Sequence, residues 1–125
     1  MATIPARKIF ANGSASTPGL VTSAVSASSG GDDFVNSGIE FVRIYNGHSG
    51  AQTVTITANG TTAVKHPIFG TLNKDKINAF SIPATTAYYF GPFHPAAWND
   101  ANEKVQITYS GVTSMTVEVL YLDQQ

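Results

Sequence analysis

Apolar and polar residues alternate along the last third of this chain. Val105, Ile107 and Tyr109 alternate with Gln106 and Thr108. After Ser110-Gly111, Met115, Val117, Val119 and Tyr121 alternate with Thr116, Glu118 and Leu120. A period of two puts successive side chains on opposite faces of a strand, so one face packs while the other meets solvent or a partner. Paired around a Gly-containing loop, the two runs are expected to form an antiparallel hairpin. The pattern places the chain among all-β domains and away from enzymes built on βαβ units.

Earlier segments extend the pattern. Ile39 to Tyr45 (IEFVRIY) is expected to be a strand with Ile39, Phe41 and Tyr45 on one side and Val42 and Ile44 on the other, covered on both faces. Turn signals from Asn46-Gly47 to Ser49-Gly50 lead to TVTIT, where Val54 and Ile56 alternate with an all-Thr face suited to solvent or a partner. Pro67 would confine any strand over Val64 to Phe69 to an edge. Thr71 to Lys76 reads as a polar loop, Ile77 to Ile82 as a strand stopped by Pro83, and Tyr88 to Phe90 as the start of the next. Ala96 to Glu103 has room for a turn or a short helical piece at most. The expected fold is an antiparallel β-sandwich or jelly-roll-like barrel of about seven to nine strands with essentially no helix. Its expected core is Ile39, Phe41, Val54, Ile56, Val105, Ile107, Val117 and Val119.

The first 33 residues differ. Ala11 to Asp33 is dominated by Ser, Ala, Gly and Thr, a composition that buries little area against the entropy of ordering it. The expected organisation is an extended N-terminal arm or long loop over residues 1–33, carrying one or two edge strands at most, and a single sandwich domain over 34–125. Ile4, Ile9, Phe10 and Leu20 are candidate interface anchors along that arm, which at about 3.3 Å per extended residue would reach on the order of 100 Å. Deleting residues 1–20 is then expected to leave the sandwich folded.

Composition narrows the partners. Seven basic residues nearly cancel eight acidic ones, only 12% of the 125 residues are charged, and there is no cysteine. That balance argues against direct nucleic-acid binding and against a polybasic membrane dock. No run reaches the roughly 18 apolar residues of a membrane span, and MATIPARKIF lacks the apolar core of a signal peptide. The sequons at Asn12 and Asn59 are therefore read as Asn-Gly turns. A surface of Ser, Thr, Asn and Gly loses little rotamer entropy on docking, which suits extensive association.

Candidate chemistry is sparse. His48, His66 and His94 have no metal-ligand spacing and read as solvated loop residues. Asp32-Asp33 and the run Asn99 to Glu103 read as turns bonding to their own backbone rather than as a calcium loop. The sequence has neither a nucleophile elbow nor a phosphate-cradling loop before a helix. Acid pairs for glycoside hydrolysis, such as Glu40 with Glu103 or Glu118, are no better than any others among eight acids. The expectation is a protein without catalytic, metal or cofactor site. Tyr88-Tyr89-Phe90 reads as a core-and-rim strand rather than an aromatic platform. Trp98, the single tryptophan, is read as a plug closing the sandwich or as an exposed binding hot spot, and it joins the interface candidates.

Pro83-Ala84, Gly91-Pro92-Phe93, Trp98-Asn99-Asp100, Val105 to Ser110, Thr113-Ser114 and Val119-Leu120, with Phe41-x-Arg43-x-x-Asn46-Gly47 and Val54-Thr55-Ile56, give residues 34–122 a resemblance. The chain resembles small structural proteins of tailed bacteriophages, above all capsid decoration, or cement, proteins. The resemblance implies a non-enzymatic virion protein, made in the host cytoplasm, that binds the outside of the phage head and bridges major capsid subunits. It also implies self-association on the shell, and it carries over no functional residue. A neck or tail component and a carbohydrate-binding sandwich are the alternatives.

Overall fold

The computed structural model describes residues 2–10, 24–57, 63–66, 70–73 and 77–123. In chain order its elements are β1 (Ala2–Thr3), β2 (Ala6–Phe10), β3 (Val25–Ser26), β4 (Asp32–Val35), β5 (Phe41–Asn46) and β6 (Gln52–Thr57). There follow β7 (Ala63–His66), β8 (Gly70–Asn73), β9 (Phe80–Ile82), β10 (Thr86–Phe90), the helical turn α1 (Pro95–Trp98), β11 (Lys104–Tyr109) and β12 (Met115–Asp123). Strands outnumber the expectation because β1 and β3, of two residues each, are too short to leave a pattern, and because Thr71 to Asn73, read as polar loop, belong to β8. The first sheet has the order β1-β4-β11-β6-β9 and the second β10-β5-β12-β2, with β3 also beside β12. The fold is an all-β sandwich, and β7 and β8 form a separate two-stranded hairpin.

The expected β11–β12 hairpin does not form. β11 pairs with β4 and β6 in the first sheet, and β12 pairs with β5, β2 and β3 in the second. Val105 and Ile107 therefore line the interior from one sheet and Val117 and Val119 from the other. Alternation fixes the buried face of a strand and leaves its neighbour open. The connecting loop is fastened to both layers: Ser110 N–H donates to the Thr53 carbonyl (2.9 Å) and Gly47 N–H to the Ser114 carbonyl (2.8 Å). The same crossing recurs from β1 to β2, β4 to β5, β5 to β6 and β9 to β10.

Six of the eight expected core residues are buried: Val54, Ile56, Val105, Ile107, Val117 and Val119. The other two belong to the face of β5 that the structure turns outward. Val42 and Ile44 are fully buried opposite Val119 and Val117, while Phe41 is only half-buried and Ile39, just before the strand, is 44% exposed. Arg43 shares a face with Phe41 and Tyr45, and a core position would strip its guanidinium of water.

The sandwich also begins earlier than residue 34. That boundary falls inside β4, and Ile4, only 3% exposed, belongs to the core. β1 runs parallel to β4, and after Pro5 the chain crosses to run parallel to β12 as β2. The residues read as the root of a free arm thus close one side of the sandwich.

Two buried amides hold the crossings in place. Asn46, fully buried, donates from Nδ2 to the carbonyls of Gly50 and Ile82 (both 2.9 Å), and its Oδ1 accepts the His48 N–H (2.9 Å). Asn36 donates to the Phe93 carbonyl (3.0 Å) and to Asn99 Oδ1 (2.7 Å), while Asn99 Nδ2 donates back to the Asn36 carbonyl (3.0 Å). Satisfied polar groups of this kind fix one loop geometry where apolar packing alone would tolerate several.

Candidate interaction face

The two outer faces of the sandwich differ in chemistry. On the first sheet, Thr53, Thr55 and Thr57 of β6 point away from the core beside Ser81, Thr108 and Gln106. This is the polar face that the TVTIT pattern predicts. On the second sheet the outward residues of β5 are Phe41, Arg43 and Tyr45, flanked by Ala87 and Tyr89 of β10.

Strand register sets the face out in rows. Tyr89, Arg43 and Glu118 lie side by side, as do Ala87, Tyr45 and Thr116. The Phe41 and Tyr89 rings meet at 6.2 Å with a 45° tilt, and the Arg43 guanidinium lies 5.7 Å from the Tyr45 ring centre. Arg43 also reaches Glu118 at 3.5 Å, a long contact for an ion pair. Glu118 and Leu120 are buried although both face outward, so the open part of this face lies over β5 and β10. Tyr89, at 62%, is the most exposed large hydrophobic side chain among the described residues. Its neighbours Tyr88 and Phe90 turn inward and pack edge-on against Phe80, at 5.0 and 5.3 Å.

The five interface candidates do not assemble into one patch. Ile4 is used up in the core. Ile9 and Phe10 lie on β2 with their backbones beside Leu122 and Asp123. Their side chains, and Leu20 altogether, lie outside the described residues. Trp98 is half-buried at the end of α1, its ring T-shaped against Phe93 at 5.1 Å, and Phe93 in turn meets Phe34 at 5.8 Å. That is where a plug would sit.

The polar candidates have structural partners. His48 Nδ1 accepts the Gly50 N–H (2.9 Å), and His94 caps α1 by accepting the Ala96 N–H (3.2 Å). Neither is simply a solvated loop side chain, and His66 lies within β7. Asp100 forms the expected turn, accepting from Asn102 N–H (2.8 Å) and Lys104 N–H (3.0 Å). The Lys104 N–H, followed by Gln106, holds its carboxyl below the usual carboxylate value. Asp32 and Asp33 are not in a turn but in β4. Asp33 accepts from Thr3 Oγ1 (2.6 Å). Asp32 points into the interior, where its Oδ2 accepts from the Tyr109 hydroxyl (2.7 Å) and the Ser28 N–H (3.1 Å), while its buried Oδ1 has no partner. Burial, then the Asp32 carboxylate, raise the Tyr109 phenol well above its ordinary value. Among the described residues no group of three or more His, Asp or Glu is placed to hold a metal ion, and no helix is long and apolar enough to cross a membrane.

The aromatic face escaped sequence reasoning although its signal was present. Arg43 marks the outward parity of β5, and Tyr89 opposes its two neighbours in TAYYF. No family model, curated protein or solved structure matches this chain.

Proposed function

We propose that the protein is a structural component of a phage virion, a capsid decoration protein that docks on the outside of the head and bridges major capsid subunits. The reading is supported most by the open aromatic face of the second sheet, where Phe41, Tyr45 and Tyr89 surround Arg43. Aromatic residues and Arg are the types enriched at protein interfaces, and Tyr is a frequent hot spot. The sandwich that carries them is braced by buried amides, so docking orders few new groups. Low overall charge permits close approach to a shell, and repeated identical sites let a modest affinity per site give full occupancy. The sequence resemblance to cement proteins points the same way. The role is structural rather than catalytic, and the partners are the major capsid protein and further copies of this chain.

The test is to add the purified protein to assembled phage heads, prepared without their own decoration protein, and to measure occupancy by sedimentation and electron microscopy. Tyr89→Ala and Phe41→Ala should lower occupancy at least tenfold at subsaturating concentration, a loss of about 1.4 kcal/mol. Absence of binding at saturating protein would overturn the proposal. The exposed Tyr89 ring also favours a second reading, a carbohydrate-binding face. Glycan-array signal lost in Tyr89→Ala, rather than in Trp98→Ala, would move the assignment there.

A further inference from the structure

A sheet edge carries unpaired N–H and C=O groups, and folded proteins guard it by shortness, charge or proline. In the first sheet the edge strands are the two-residue β1 and the three-residue β9, which Pro83 follows immediately. In the second sheet one edge is β2, whose sequence ARKIF carries Arg7 and Lys8. The opposite edge is β10, with sequence TAYYF: five residues, no charge and no proline, bonded on one side to β5 and on the other to no described strand. Among the described residues, three of the four edges of these two sheets are guarded and one is open.

We infer that β10 is a self-association edge, and that its occupant is β10 of a second copy of this chain, paired antiparallel about a two-fold axis. The sequence is self-complementary in that arrangement. Centred on Tyr88, the pairing sets Ala87 of each copy beside Tyr89 of the other on the outer face, small against large, with no like charges opposed. An unrelated strand would need an equally uncharged edge with bulk at the matching height, and this chain supplies one. The pairing leaves the Phe41–Tyr45 face open and joins two such faces into one continuous surface. A five-residue edge covers less than the roughly 1,200 Å² of a stable complex, so the contact is weak and becomes populated only at high local concentration. The inference deepens the self-association in the proposed function but rests on the edge alone. A dimer in solution without shell binding would remove the decoration reading and leave this one standing.

Sedimentation velocity from micromolar to millimolar protein, with two-dimensional amide NMR across the same range, tests it. The expected result is a reversible dimer whose formation perturbs amides 86–90. Ala87→Lys, checked for folding by its NMR spectrum, should weaken the dimer roughly tenfold, and so should Tyr89→Glu. Mixing the two variants sets the introduced ammonium of one copy beside the introduced carboxylate of the other, and should restore association above either variant alone. A wild-type chain monomeric at millimolar concentration would overturn the inference. So would perturbed amides confined to another edge, unchanged dimerisation of Ala87→Lys, failure of the mixture to recover, or pairing of β10 only with a strand from a different protein.

Discussion

Replacing Tyr109 with Phe removes one oxygen atom from the interior and preserves the shape of the ring. That oxygen donates to Asp32 Oδ2 at 2.7 Å, and Asp32 is fully buried with its other carboxylate oxygen already lacking a partner. After the substitution the carboxylate keeps only the Ser28 N–H among its donors, at 3.1 Å. A hydrogen bond to a charged group contributes about 1.5–3 kcal/mol net, and stranding a buried acceptor costs toward the upper end. For a domain of this size each kcal/mol moves the melting temperature by roughly 3–6 °C, so Tyr109→Phe should melt about 6–15 °C lower. Urea denaturation at pH 7 should return the same loss. The pH dependence has a defined sign. The folded state holds the phenol neutral, so its contribution is complete below the unfolded value of 10.0 and falls as pH rises beyond it. The gap between wild type and variant should therefore narrow above pH 10. In an Asp32→Ala background the same substitution should cost at least about 1 kcal/mol less, because the acceptor is gone. A variant that melts within a degree or two of wild type at pH 7, or costs the same in both backgrounds, would refute the reasoning.

Ile107→Ala should cost about 2–5 kcal/mol in urea, as a fully buried side chain facing Ile56 across the ladder, whereas Ile39→Ala should stay within about 1 kcal/mol. Removing residues 1–10 strips Ile4 from the core and the parallel neighbours from β4 and β12, so the truncated chain should melt many degrees lower, contrary to the free-arm expectation. Gly91→Ala should lose about 1–3 kcal/mol, since Gly91 has φ +112° and an added Cβ would lie 2.9 Å from the Phe93 ring. Asp100 is held below its ordinary 3.8, so its contribution is present above that pH and lost as pH falls through the lowered value. Asp100→Asn should flatten that acid limb of the stability profile, measured by melting between pH 2 and 5.

Much of the fold can be read from alternation alone, because a half-buried strand must place its apolar residues at every second position. Val105, Ile107, Val117 and Val119 obey that rule, and so does the Thr face of β6. β5 misleads because both of its faces are apolar, and there the decisive residue is Arg43 rather than the hydrophobes. Pairing is less legible: the short link from β11 to β12 suggests a hairpin, and the chain uses it to change sheets. Ile4 is hidden by brevity, since a two-residue strand has no period. The Asp32–Tyr109 contact joins residues 77 apart, and no local pattern announces a carboxylate in a core.

Burial of Val42 and Ile44 obliges Phe41, Arg43 and Tyr45 to face outward, but nothing in the core obliges those outward residues to be aromatic. Around β6 the corresponding face of the first sheet shows what folding alone requires, and there it is met with Thr, Ser and Gln. The aromatic row is surplus to the fold, and leaving rings in water gives up stabilisation: covering an aromatic side chain removes about 150–250 Å² from solvent. At roughly 25 cal/mol per Å², burying the exposed part of Tyr89 would contribute on the order of 2–4 kcal/mol before ordering costs. An exposed ring of this kind beside an edge that no described strand covers leaves binding energy in one part of the surface. That concentration is what supports the proposed docking role, in which the second sheet is the contact side.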